Sequence, residues 1–315
     1  MRLAALSVDL DEIPNYYAIH GFDPNAPEYA AGKTAVYDVA VDRLLAFADE
    51  EEVPLTLFAI GQDLTRPAAA AKLREAVFRG HEIANHTLDH RYDLTRLGKK
   101  EIETQILGGV DAIAVATGKV PTGFRAPGYT ITDEVMEVLL ENDVAYDSSV
   151  FPCPAYYAAK TAAIGLYAAQ GRTSRSIVDT PSVLGAPTRP YFVGRPYYRR
   201  GDGMSAGRSA PLVELPIQVT PRFRLPFYGT AITLAGPDGA TRLAKMCVGE
   251  PLINIELHGI DVLDEFDGLA PLRPHQMDVR VVKQRKLAAL KAVVQTLRGE
   301  GYTFVRLDEA AKRFV

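Results

Sequence analysis

Residues 2–12 read RLAALSVDLDE, a largely apolar run that stops abruptly at Asp9, Asp11 and Glu12. A run of this length ending in polar residues predicts a buried strand from Arg2 to Val8, with the carboxylates at its C-terminal end. Downstream, Val36, Val39, Ala40, Leu44 and Phe47 recur at helical spacing up to Glu50, and Leu55 to Ile60 reads as a second buried strand. These segments make one β-α-β unit. Pro67 suits the first turn of a helix through Ala76 and Phe78 that Gly80 ends, before a short strand at Glu82 to Ala84. Ile102, Ile106, Val110 and Ile113 mark a third helix closing near Gly118, and Thr122 to Arg125 is a strand. Thr132, followed by Asp133 and Glu134, caps a helix through Leu139, and Val144 to Tyr146 is again extended.

The alternation resumes at the far end, with a strand at Leu252 to Leu257 and a helix lined by Leu287, Leu290, Val294 and Leu297 up to Gly299. A last strand, Tyr302 to Leu307, leads to a helix opened by Asp308. Repeated β-α alternation predicts an α/β fold whose parallel sheet closes into a barrel. Between about 151 and 250 the regularity lapses, and eight prolines from Pro181 to Pro226 forbid a long helix there. This predicts one barrel domain over 1–315 with an irregular insertion. Residues 171–224 carry nine arginines, Arg175 and Arg208 among them, against Asp179, Asp202 and Glu214. With nearby Tyr191, Phe192, Tyr197, Tyr198 and Phe223, these could grip phosphate and stack on sugar rings, or form a solvated loop or subunit contact.

A length of 315 residues with 47% hydrophobic and 23% charged composition excludes disordered and fibrous chains. The net charge of −4 gives no bulk reason to bind nucleic acid or an anionic membrane. Cys153 and Cys247 are too few for a disulfide framework or a thiolate zinc site. No stretch reaches the roughly 18 apolar residues of a membrane span, and the start lacks a signal peptide's apolar region, so the expected location is the cytoplasm. The composition leaves a homo-oligomer open.

The chemistry concentrates after predicted strands. His86 and His90 stand four apart, a separation that sets two imidazoles on one face of a helical turn where they can chelate a metal ion. Thr87 occupies the place where metalloproteases of this spacing need a glutamate. Asp9 and Asp11, two apart at a strand end, can project to one side. One can ligate the metal while the other accepts a proton from water that the metal has acidified. Two imidazoles and one carboxylate could also hold iron for oxygen chemistry. Arg125 ends another strand before Pro127 and Gly128, placed to clasp a carboxylate, and His258 follows an apolar strand, where it can act as a general acid.

Taken in order, Asp9-x-Asp11, His86-x-x-x-His90 within HEIANHTLDH, Arg125-x-Pro127, Tyr146-Asp147-Ser148-Ser149 and Leu257-His258 resemble the polysaccharide deacetylases, carbohydrate esterase family four. The resemblance covers residues 2 to about 150 and 212 to 310. It implies a distorted (β/α) barrel of about seven parallel strands and one divalent metal, usually zinc, with cobalt, nickel or manganese as substitutes. By the same resemblance Asp11, His86 and His90 are metal ligands, Asp9 the base, Arg125 its orienting partner and His258 the general acid. A backbone N–H near Gly128 or Tyr129 would stabilise the oxyanion.

The implied reaction removes an acetyl or formyl group from an amino sugar, either small or carrier-linked. Three departures stand out: Asp9-Leu10-Asp11-Glu12 replaces an Asp-Asp-Gly motif, Gly128 replaces the usual aromatic residue, and the chain has no tryptophan. The first points toward the branch acting on cell-wall or lipid-linked sugars and toward related linear-amide hydrolases. Asp147 or Asp261 is expected to orient His258. The competing readings are a hydrolase of a non-sugar linear or cyclic amide and a non-catalytic carbohydrate-binding barrel.

Overall fold

The computed structural model describes residues 2–178, 181–203 and 211–314. Its nine strands are β1 (Arg2–Asp9), β2 (Leu55–Ala59), β3 (Glu82–Asn85), β4 (Gly123–Phe124), β5 (Tyr146–Asp147), β6 (Tyr191–Phe192), β7 (Val213–Glu214), β8 (Leu252–His258) and β9 (Tyr302–Phe304). They form one sheet in the order β6-β7-β5-β4-β3-β2-β1-β8, with β9 on the N-terminal half of β1. Every pairing is parallel except β6 with β7. Eight of the strands are thus parallel, in keeping with the barrel of about seven expected, and β6 adds an antiparallel edge. The sheet curls until its ends meet through side chains and loop: Gln218 donates its N–H to the Asn254 carbonyl (2.9 Å), and Asn254 donates to that of Leu215 (3.0 Å).

The helices fall largely where the apolar periodicity puts them: α1 (Ile13–Ile19), α2 (Val41–Glu50), α3 (Pro67–Phe78), α4 (Lys99–Thr117), α5 (Asp133–Glu141), α6 (Pro154–Ala169), α7 (Gly229–Cys247), α8 (Lys283–Gly299) and α9 (Leu307–Phe314). Thr132 caps α5 by accepting the N–H of Val135, and Asp133 and Glu134 occupy its positive first turn. Gly118 closes α4 at φ 74°, a conformation that costs glycine little. The prolines between Pro181 and Pro226 do exclude α-helix among the described residues there. The wider irregular region is a correction, because its ends are helical. α6 runs 16 residues from Pro154 at its first turn, and α7 runs 19, kinked at Gly236 and Pro237.

Strand alternation sorts the barrel's contents. Leu6 and Val8 face outward into a core shared with α2 and α8, whereas Leu3 and Ala5 face inward and pack with Phe58, Tyr146 and Leu252 as an apolar floor. The same inward face continues into Ser7 and Asp9 on β1 and into Asn254, Glu256 and His258 on β8. The parallel register sets Asp9 opposite both Phe58 and His258, Asn85 opposite Phe124, and Phe124 opposite Asp147. The C-terminal strand ends therefore lie level, and polar residues converge on one rim.

Candidate active site

The loop after β3 carries both imidazoles, though not on a helical turn as the spacing suggested. Thr87 and His90 take positive φ (69° and 57°), a strained conformation for residues with a Cβ. Side chains hold it in place: Asn85 accepts the N–H of Thr87 (3.0 Å), and the Thr87 hydroxyl accepts that of His90 (3.1 Å). The two rings end 4.9 Å apart. His86 donates Nδ1–H to the carbonyl of Arg125 at 2.7 Å, so its Nε2 faces inward.

Asp11 completes the cluster, its Oδ1 lying 3.4 Å from His86 Nε2 and its Oδ2 3.1 Å from His90 Nε2. One ligand atom from each of Asp11, His86 and His90 lies within 4.8 Å of the others. Asp11 Oδ1 and both ring nitrogens of His90 are buried without a hydrogen-bond partner. Buried polar groups seldom stay unsatisfied, and a carboxylate with two imidazole nitrogens is a donor set that suits a divalent cation. The residues therefore fit such an ion. Burial pushes the Asp11 carboxyl up, but His90 and His86 prevail and hold it well below the ordinary carboxylate range.

Asp9, one alternation earlier, faces this cluster with Oδ2 at 3.8 Å from His86 Nε2, while Oδ1 takes a hydrogen bond from Arg125 at 2.7 Å. The Arg125 guanidinium has no solvent exposure and is fully engaged. It also donates to Ser7 Oγ (2.8 Å), Ser148 Oγ (2.9 Å) and the Ser148 carbonyl (2.9 Å). Asn254 ties this network together by accepting from Ser7 and donating to Ser148, each at 2.9 Å. Arg125 thus fixes which oxygen of Asp9 is free.

His258 stands across from Asp9, with Nε2 at 4.0 Å from Asp11 Oδ2. The carboxylate against its Nδ1 is Glu256, at 2.9 Å, and this corrects the expectation of Asp147 or Asp261. Asp261 instead accepts the backbone N–H of His258 (2.8 Å), and Asp147 is occupied by the hydroxyl of Ser149 (2.7 Å). Burial works against the imidazolium, yet Glu256 and then Asp11 and Asp9 raise His258 well above its ordinary value. Glu256 was legible in principle, since a glutamate two residues before a histidine in a strand shares its face. Fully buried Lys286 braces the following turn by donating to the carbonyls of Ile260 (3.0 Å) and Leu263 (2.7 Å).

A cleft of about 160 Å³ opens on this rim, lined by Asp11 and His258 and walled by Tyr16, Tyr92, Tyr129 and Tyr156. Gly128 also lines it, its carbonyl taking a bond from Lys160 (3.1 Å). Of the two expected backbone donors, the N–H of Tyr129 is spent on the Ala126 carbonyl (3.0 Å). Several described arginines of 171–224 are engaged within the chain: Arg172 lies over Phe22 and Tyr167, Arg189 pairs with Glu250 (2.7 Å) and Arg195 with Glu137 (3.1 Å). Arg175 alone among them lines a cleft beside His90 and Tyr92. Tyr191 and Tyr197 are buried. Asp179 and Arg208 lie outside the described residues.

Fold and site together define a curled α/β barrel with a metal-type cluster, flanked by the carboxylate of Asp9 and the imidazole of His258, at its strand ends. Residues 34–146 match the model of the polysaccharide deacetylase family. A peptidoglycan deacetylase of Helicobacter pylori is 28% identical over 148 residues, 47% of this chain and 49% of that protein. A chitooligosaccharide deacetylase of Sinorhizobium fredii is 32% identical over 120 residues, 35% of this chain and 54% of that protein. The chain thus spans about half the length of these relatives. Among solved structures, the family 4 carbohydrate esterase domain of a multidomain xylanase from a Trinervitermes trinervoides hindgut metagenome superposes with TM-score 0.51. That match has 14% identity over 99% of this chain and 90% of that one, and it bears out the fold. Among the described residues no helix is long and apolar enough to cross a membrane.

Proposed function

We propose that this chain is a metal-dependent hydrolase that removes an N-acyl group, acetyl or formyl, from an amino sugar. The observation that carries the reading is the pairing of an Asp11-His86-His90 cluster with a second carboxylate, Asp9, whose free oxygen faces it while Arg125 holds the other. A divalent cation, for which we favour zinc, would be held by Asp11, His86 and His90 and would supply electrophilic polarisation of the acyl carbonyl and acidification of water.

The chain's own groups divide the proton work. Asp9 Oδ2 takes a proton from the attacking water as its oxygen bonds to the acyl carbon. Arg125 keeps that carboxylate from turning away. When the carbon–nitrogen bond breaks, the nitrogen keeps the electron pair and receives a proton from His258 Nε2. Glu256 favours the charged imidazolium that makes this donation possible. The products are a free amine and acetate or formate. The tyrosine-walled cleft suits the apolar faces of a sugar ring, and a cell-envelope or glycan intermediate, small or carrier-linked, is the substrate class we favour.

The test combines metal analysis with acetate and formate release from a panel of N-acyl amino sugars, using wild type, Asp11→Ala, His86→Ala and Asp9→Asn. The proposal expects about one metal ion per wild-type chain, its loss in the first two variants, and retention with lost turnover in Asp9→Asn. A metal-loaded wild type that releases no acyl group from the sugars overturns it.

A further inference from the structure

Polar atoms that are buried and unpartnered cluster around the candidate site. Beside Asp11 Oδ1 and the His90 ring nitrogens they include the hydroxyl of Tyr16. Leaving such a donor unmet costs about 1–3 kcal/mol, so a group aimed into a ligand cleft without a partner marks a position that a ligand completes. Tyr16 is 6% exposed and sits on α1, one turn after Asp11. Its ring meets the His258 imidazole edge-on at 6.3 Å, and it shares the cleft wall with both Asp11 and His258. Tyr129 also has an unpartnered hydroxyl and stands 6.3 Å from His258. Its ring, however, packs into Phe151 and Tyr156, in a separate small core with Ile217 and Val219.

The oxyanion of an acyl transfer needs a preorganised donor. The backbone N–H of Tyr129 is already committed to the Ala126 carbonyl at 3.0 Å. We propose that Tyr16 is a further catalytic residue, whose phenol O–H donates to the acyl carbonyl oxygen as that oxygen takes on negative charge. The phenol keeps its proton throughout, so no bond to hydrogen is broken, and the interaction weakens again when the carbonyl re-forms. The role rests on the deacylase reading given above and adds a residue to it.

Tyr16→Phe removes one oxygen and keeps the ring that packs against His258. Steady-state kinetics on metal-loaded protein with an N-acetyl amino sugar oligomer should show kcat lowered about 100- to 1,000-fold, the usual effect of deleting one oxyanion donor. KM should stay within about three-fold and metal content should be unchanged, a split expected of a contact made only in the transition state. A kcat within about three-fold of wild type overturns the proposal. So does a raised KM with kcat intact, which makes Tyr16 a sugar-binding residue, and so does loss of metal, which makes it structural. If metal-loaded wild type is itself inert, the deacylase reading falls and Tyr16's role with it. An active wild type with an unimpaired variant sinks Tyr16 alone.

Discussion

Glu256→Gln isolates the electrostatics of the acid side of the site. In the wild type a buried carboxylate lies 2.9 Å from His258 Nδ1, and it is the strongest influence lifting that imidazole against the pull of burial. Glutamine is isosteric, and its carbonyl still accepts Nδ1–H, so ring orientation survives while the charge is lost. At this separation and an effective dielectric of about 20 the gross attraction is about 6 kcal/mol, an upper limit because both groups have been desolvated. The net worth of a hydrogen bond to a charged partner is about 1.5–3 kcal/mol. At about 1.36 kcal/mol per unit, that lowers the His258 pKa by about one to two units.

A general acid works only while protonated, so kcat falls as pH rises through its pKa. The high-pH limb should therefore move down by about one to two units in Glu256→Gln, with the plateau below it largely kept. The assay is kcat against pH, from about 6 to 10, on metal-loaded wild type and variant. Stability gives an independent check. Because the folded pKa of His258 is raised, its contribution is fully present below the unfolded value of about 6.5 and is lost as pH rises through the folded value. The stability gap between wild type and variant should accordingly narrow with rising pH in urea titrations. A basic limb that stays in place in a folded variant would refute the assignment of Glu256 as the group that sets His258.

Other perturbations probe the support around the site. Arg125→Ala strands the buried Asp9 charge and leaves Ser7 and Ser148 short of a partner, so a loss of about 3–5 kcal/mol is expected. A stability loss in urea titrations of less than a third of that would show that the network relaxes. Gly109 on α4 is packed so closely that an added Cβ would overlap Asn85 Oδ1, the atom bracing the His86–His90 loop. Gly109→Ala should weaken metal affinity by about 10- to 100-fold, the usual effect of disturbing a ligand's support. Unchanged affinity by competitive chelator titration would count against that bracing.

Much of the fold could be read from periodicity, because apolar runs and helix punctuation are local signals. α3 was foreseen from Pro67 through Phe78, and Thr132 caps α5 where its chemistry suggested. The 151–250 region was hidden for a physical reason. Proline density between 181 and 226 dominates its reading, while α6, an alanine- and tyrosine-rich helix with one buried residue, Tyr157, shows no apolar stripe. The histidine spacing singles out a pair that the structure does bring together, though by another geometry, since a left-handed loop held by Asn85 and Thr87 sets the rings 4.9 Å apart. Charge density in 171–224 leaves ligand contact, solvated loop and subunit contact open, and in the structure several of these arginines pair within the chain. A count of arginines contains nothing about the Glu250 or Glu137 that neutralise them from distant positions.

Glu256 and Asn254 were overlooked because each looks like an interruption in an apolar strand, when together they are its message. In LINIELH the residues at 254, 256 and 258 share the inward face, and on β1 Ser7 and Asp9 do the same. The β1–β8 register then sets Ser7 level with Glu256 and Asp9 level with His258. A slip of one residue would turn all five side chains toward the helices and leave the network around Arg125 without partners. Asp9 and His258, the proposed proton acceptor and donor, are therefore placed by strand pairing, and Arg125, one residue past β4, holds Asp9 from across the barrel. The apolar floor of Leu3, Ala5 and Leu252 enforces that pairing, since burying it fixes the same face inward. The metal-type cluster comes from residues beyond the strands, on loops that must be braced by Asn85 and Thr87. On this division the proposed proton-transfer pair is as durable as the barrel, and the loop carrying His86 and His90 is where local distortion would first disturb the candidate site.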